Sequence, residues 1–215
     1  MRIINCKITL FDYRNNKCDI TIPFTFLKRV VLFFILQLLS YHLFSQSNDS
    51  TIEIRIFKYE NDSISARLQF VDNELNGWQY YYYPNGNIQA KEFWINDYPQ
   101  DSAWYYYTNG ILEKKGTYQQ GLYEGFWEFY YENGLRSRVG YYHNGLPDGH
   151  WVFYHENGKY WQKGNFMRGK EEGFWQYFDY TGNLTFEGDY SEGERTGQWY
   201  KFNRKGEKKK WKLFN

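Results

Sequence analysis

Carboxylates recur at Glu124, Asp148 and Glu172, each 24 residues after the last and each just before a glycine. Such a row would suit cation binding or a pair of acids exchanging a proton. If each interval spans two strands, however, equivalent side chains stand about 10 Å apart, too far for shared cation coordination. That spacing also exceeds the separation of the paired carboxylates in a retaining glycosidase. A row of solvated turn charges is therefore expected. His143, His150 and His155 fall at three different places in the interval and have no cysteine near them, so no metal site is expected. No nucleophile elbow, phosphate loop, dinucleotide fingerprint or paired-histidine zinc motif occurs in the chain. Catalysis needs one convergent cluster, and these residues are spread evenly, which points to a non-enzymatic protein without cofactor.

The more abundant resource is aromatic. The chain has 215 residues with 23 Tyr, 18 Phe and 9 Trp, together with 19 Gly and only 4 Pro. Aromatics favour pleated surfaces and glycine favours turns, so many short strands are expected and an all-helical fold is excluded. Tyr81, Tyr83, Tyr106, Tyr130 and Tyr154 stand out as a candidate ligand surface, because tyrosine offers rigid amphipathic contact area to a peptide, glycan or partner protein. The formal net charge is +1, too close to neutral to imply nucleic acid. It is unevenly placed: residues 46–200 hold 13 basic and 22 acidic side chains, whereas residues 201–215 hold seven basic ones and Glu207. Lys208, Lys209, Lys210 and Lys212 form a basic tail over residues 207–215, either an end cap on the last strand or a site for anionic lipid or polysaccharide.

These side chains are positioned by a repeat. Gly86, Gly110, Gly134, Gly158, Gly182 and Gly206 are 24 residues apart, and the first four follow Asn85, Asn109, Asn133 and Asn157. Both residues of an Asn-Gly hairpin turn take positive φ, so these pairs predict tight two-residue turns. Trp127, Trp151, Trp175 and Trp199 keep the same 24-residue period, as do the glycines at 116, 140, 164 and 188. The tryptophans are expected to form the inter-repeat core. Tyr130 and Tyr154 lie an odd number of residues further on and therefore face the other way. Trp78 and Trp104 fall out of step with the column, which predicts insertions and deletions inside the early strands. The repeat array is assigned to residues 77–206. Residues 50–76 read as a degenerate capping repeat whose two runs, Ile52/Ile54/Ile56 and Ile64/Ala66/Leu68/Phe70, each form a strand with one buried face.

The four regular copies, with GFWEFYYENG, GHWVFYHENG and GFWQYFDYTG each followed by G-x-aromatic-x-x-G, resemble MORN repeats of the second, bacterial-type variant. The resemblance covers about residues 53–206. It implies an all-β fold, an elongated single-layer antiparallel meander of about seven 24-residue hairpins, used chiefly for protein association. Lipid binding is proposed for some eukaryotic relatives and an antitoxin role for some bacterial ones, and no catalytic residues come with the family. The segments WYYYTNG and WQYYYYPNG also look like choline- or wall-binding repeats, although those run at a shorter period.

Residues 1–46 read as an N-terminal extension and a helical secretory signal: Lys28 and Arg29 precede an apolar run over residues 30–44 that is short for a spanning helix. The expected location is secreted, periplasmic or cell envelope; the alternative is a membrane anchor through uncleaved residues 28–44. Both cysteines, Cys6 and Cys18, precede the run. The leading functional expectation is an exported scaffold binding a protein partner, with an envelope glycan or lipid module and an antitoxin-like partner protein as alternatives.

Overall fold

The computed structural model describes residues 51–215; the signal and helical segment expected before residue 47 lie outside them. The described residues form strands β1 (Ile52–Lys58), β2 (Ile64–Val71), β3 (Glu74–Leu75), β4 (Gly77–Tyr82) and β5 (Ile88–Ile95). They continue as β6 (Tyr98–Tyr106), β7 (Leu112–Gln119), β8 (Leu122–Tyr130), β9 (Arg136–His143) and β10 (Leu146–Tyr154). The last are β11 (Tyr160–Met167), β12 (Lys170–Phe178), β13 (Leu184–Ser191), β14 (Glu194–Phe202) and β15 (Lys208–Phe214). All belong to one open antiparallel sheet in which each strand lies beside its chain neighbour, with β3 a short offshoot against β2. The described residues are therefore all-β, an antiparallel meander without a helix. The run set apart as a basic tail is its closing edge strand.

Two kinds of turn alternate, and they exchange the roles expected for them. At Tyr131–Leu135 the Gly134 N–H donates to the Tyr131 carbonyl at 2.9 Å and the Tyr131 N–H to the Leu135 carbonyl at 2.8 Å. Gly134 has φ 84°, but Asn133 is not among the positive-φ residues. This is a three-residue loop, a type I turn closed by a left-handed glycine. Asn133 contributes its side chain instead, its Oδ1 accepting from the Leu135 N–H at 2.9 Å. The two-residue turns with both φ positive lie at the other end of the strands, as at Asn144 (50°) and Gly145 (79°). Arg168 and Glu192 hold the first position of such turns at φ 50° and 52°, a left-handed conformation that costs a bulky residue on the order of 1 kcal/mol.

The core is a tryptophan laid on a glycine, repeated along one face. Trp127, Trp151, Trp175 and Trp199 are at most 1% exposed. A Cβ built on Gly140 would meet the Trp151 ring at 2.2 Å, and Gly116, Gly164 and Gly188 stand in the same relation to the next tryptophan. Only a hydrogen leaves room for the indole. Each Nε1–H donates to the carbonyl of the residue after that glycine, as Trp151 does to Tyr141 at 3.0 Å. The opposite strand carries two extra residues there, since Asp148 pairs with Tyr141 but Trp151 with Gly140. That bulge turns the tryptophan into the sheet. Tyr142 meets Trp151 edge-on at 5.0 Å and Phe166 meets Trp175 likewise at 5.2 Å, so rings from successive repeats interlock.

The early copies contain no insertions or deletions. Ala103 stands opposite Glu92 in the same register as Trp127 against Gly116, and Gln79 lies one period earlier. Trp78 and Trp104 are the strand neighbours of this column and face the other way, 5.8 Å apart. Gln79 is fully buried and reproduces the indole hydrogen bond, its Nε2 donating to the Gln69 carbonyl at 3.0 Å while its Oε1 accepts from the Gln69 N–H at 2.8 Å. The capping strand departs from expectation too. Ile52, Ile54 and Ile56 are exposed, because β1 is the edge of a single sheet and no second layer among the described residues covers it.

Candidate functional site

A single sheet has two faces, and here they differ. On the face of Trp127 and Trp151 the rings of Phe129, Tyr118, Tyr123, Tyr142 and Phe166 close over one another. Lys114 stands over the Tyr105 ring at 4.2 Å and Arg138 over Phe129 at 4.1 Å. On the opposite face several aromatics remain in solvent. Phe126 and Tyr141, strand neighbours of Trp127 and Tyr142, meet at 5.1 Å and are 45% and 54% exposed, with Phe174 one repeat pair further on at 49%. Toward the N-terminal end the same face carries Trp78 and Trp104, with the Lys91 ammonium 4.3 and 5.2 Å from their rings. A cavity of about 150 Å³ beside them is lined by Ile54, Arg67, Gln69, Trp78 and Tyr80.

The five tyrosines singled out in the sequence do not form one surface. Tyr81, two residues after Gln79, lies half-buried on the tryptophan face, where burial, with a smaller effect from the Glu92 charge, raises its pKa. Tyr83 is a staple: its hydroxyl donates to the Tyr106 carbonyl, 23 residues on, at 2.8 Å. Tyr59, Tyr107 and Tyr131 repeat that bond to Tyr82, Tyr130 and Tyr154. Tyr106, Tyr130 and Tyr154 are half-buried on the opposite face. Tyr154 packs on Tyr160 at 5.5 Å. The staple column was visible in the sequence as an aromatic two residues before each Asn of an Asn-Gly pair, but nothing in its type told a hydrogen-bonding role from a binding one.

The acidic row is also structural. Glu124 Oε2 accepts from the Asn144 N–H and Glu172 Oε2 from the Glu192 N–H, both at 2.9 Å. Each carboxylate therefore clamps the left-handed turn of the following repeat. The Asn144 N–H, and then His143, hold the Glu124 carboxyl below its ordinary pKa. His155 takes the place of a tyrosine in the staple column, with Nε2 3.1 Å from the Phe178 carbonyl. His150 is 3.3 Å from Asn165. Among the described residues no three His, Cys, Asp or Glu converge as metal ligands would.

One cluster breaks the repetition. Glu92 fills the glycine column; one oxygen accepts from the Tyr105 hydroxyl and the other from the Trp94 Nε1–H at 2.8 Å. The Tyr105 and Tyr118 hydroxyls share a hydrogen bond of 2.7 Å. Burial first, then the Glu92 hydrogen bond, pushes the Tyr105 phenol well above its usual range, and burial raises Tyr118 as well. Both phenols stay protonated at neutral pH. The network replaces a tryptophan with hydrogen bonds and leaves no buried side-chain polar atom unpaired among the described residues. On the other face Glu128 bridges Lys115 and Arg136, each at 2.8 Å. Burial alone would raise its pKa, but the two cations outweigh it and lower it.

Of the four lysines at the C-terminal edge, Lys208 is engaged, 2.6 Å from Glu187 and 3.9 Å above the Tyr200 ring. Lys212 stands over Phe214 at 4.6 Å, while Lys209 and Lys210 are exposed and have no acidic partner among the described residues. No family model matches the chain, and no curated protein is significantly similar to it.

Proposed function

We propose that this chain is an exported, non-enzymatic scaffold, a MORN-like array of about seven hairpins that binds another protein through the aromatic face opposite its tryptophan core. The observation that carries the reading is the set of aromatics left in solvent opposite the tryptophan column: Phe126, Tyr141 and Phe174 are about half exposed, whereas Trp127, Trp151, Trp175 and Trp199 are at most 1% exposed. Exposed aromatic rows of this kind mark interaction surfaces, since burying them against a partner stabilises the complex through apolar area and ring contacts. The chemistry of three acidic residues supports a non-catalytic role, because Glu124 and Glu172 are tied to turn amides and Glu128 to two cations. The test is affinity capture of the tagged full chain from its native envelope fraction, compared with Phe126→Ser/Tyr141→Ser/Phe174→Ser. One defined protein recovered with the wild type and lost with the variant supports the reading. Equal recovery from both removes this face from consideration.

A glycan-binding reading is favoured by a separate feature, the Trp78 and Trp104 pair beside the cavity at Arg67 and Gln69. Exposed indoles flanked by polar groups stack on sugar rings. Retention of the full chain on envelope polysaccharide, lost with Trp78→Ala/Trp104→Ala, would move the assignment there.

A further inference from the structure

The repeat is its own template for what lies beside each strand. The glycine-bearing strands β7, β9, β11 and β13 each pair on their later side with a tryptophan-bearing strand, β8, β10, β12 and β14. β15 occupies the glycine-strand place, since Lys212 follows Gly188 by one period of 24 residues. It nevertheless ends the sheet, and no strand among the described residues pairs with its outer side. Among the described residues, a row of backbone donors and acceptors on that side has no strand partner.

The side chains on this edge specify what it accepts. Lys201 stands directly opposite Lys209, and like charges in that position weaken a strand pair. Lys209, Lys210 and Lys212 have no carboxylate within salt-bridge distance among the described residues; the one basic side chain of β15 that does is Lys208. Between them Trp211 and Leu213 are 40% and 64% exposed, so an arriving strand would also cover apolar area. The column rule adds a size requirement. Tryptophan faces glycine, but where the glycine column holds Glu92 the facing residue is Ala103. Lys212 therefore calls for a small or acidic residue opposite it, not an indole.

Lysines on an edge also deter unwanted pairing. Here they deter it selectively: a second β15 would set cation against cation, whereas an acidic strand is attracted. We propose that the open edge of β15 takes up an acidic extended segment of a partner protein, adding it to the sheet as an antiparallel strand with its carboxylates against Lys209, Lys210 and Lys212. This deepens the scaffold reading, on which it rests, by specifying the chemistry of the partner, and it uses the sheet edge, not the aromatic face.

The probe is a fluorescent peptide of Val residues with three consecutive Glu at its centre, which places carboxylates on both faces of a strand, long enough to span β15, titrated against the full chain in mild detergent and followed by anisotropy. Two further peptides replace Glu by Gln, or carry N-methyl groups on alternate backbone amides. The expected result is saturable binding that weakens about tenfold with either substitute peptide and about tenfold with Lys209→Glu/Lys210→Glu/Lys212→Glu. Folding of that variant is checked by its thermal midpoint, and the N-methylated peptide tests strand addition on the unmodified protein. Equal binding of the N-methylated peptide, with heparin competing, reduces the edge to a charge surface and overturns the proposal, as does the absence of binding. If the peptide does not bind while the Phe126/Tyr141/Phe174 variant still abolishes partner capture, the edge proposal falls and the scaffold reading stands.

Discussion

From β7 to β14 each hairpin closes by laying a tryptophan on a glycine, whereas the hairpins built from β2 to β6 fill the same place with Gln79 and with Ala103 beside Glu92. The backbone register is the same in both regions. What differs is how the space above the bulge is filled: in one by an indole needing a bare neighbour, in the other by a buried amide, or by a carboxylate that accepts from the Tyr105 phenol and the Trp94 indole. The slot tolerates different chemistries provided that size and hydrogen bonding change on both strands together. A residue in this fold is thus interpretable only with its partner 11 positions earlier, as Trp127 is with Gly116.

The largest expected effect breaks the regular version. Trp151→Ala removes a fully buried indole between two rigid strands and should cost about 4 kcal/mol in urea unfolding. A loss below about 1 kcal/mol would show that the ring is not the core of its repeat. The next sharpens the comparison by converting one region into the other. Ala103→Trp alone overpacks against Glu92 and should destabilise by about 2 kcal/mol. With Glu92→Gly added, the indole gains a glycine to lie on and the Phe93 carbonyl as acceptor, so the double variant should be at least about 1 kcal/mol more stable than the sum of the single changes. Simple additivity would mean that the two slots are not equivalent.

Smaller effects test the links between repeats. Tyr131→Phe removes the hydroxyl that donates to the Tyr154 carbonyl at 2.7 Å and should lower stability by about 1 kcal/mol. An unchanged unfolding midpoint would discount the staple. In the last regular repeats that column changes role. Asp179 turns into its own loop, where Oδ1 accepts from the Thr181 hydroxyl at 2.6 Å and the Asn183 N–H at 2.9 Å. The Thr181 hydroxyl foremost, then the Asn183 N–H, holds its carboxyl down to about 2, against an ordinary value of 3.8. Because the folded pKa is the lower one, the stabilisation is complete above about pH 4 and is lost as pH falls toward 2. An NMR titration of Asp179 with a midpoint near 4 would discard the cradle.

Much of this was legible without coordinates. The 24-residue spacing, the aromatic content and the glycine columns specify antiparallel strands and the tryptophan column at the core, because period-two alternation and turn glycines are local properties of the chain. The turn types were less so: Asn133-Gly134 and Asn144-Gly145 are the same dipeptide, yet only the second has both φ positive. The strand length between turns and the Glu124 clamp decide which geometry each adopts. Trp78 and Trp104 misled the register because a tryptophan looks like a column member wherever it falls, and the buried Gln79 does not.

By itself, then, the sequence determined the period, the strand order and the tryptophan column of the core, since each depends on contacts between neighbouring repeats whose spacing is written along the chain; that each indole lies on a strand glycine emerged only from the structure. The tertiary structure decided which of many tyrosines are staples and which aromatics remain exposed. It also decided that the lysines of β15 lie on an edge that no other described strand covers. Those outcomes depend on which face a bulge turns a side chain toward and on what lies one repeat away, and a residue's type and number do not specify either.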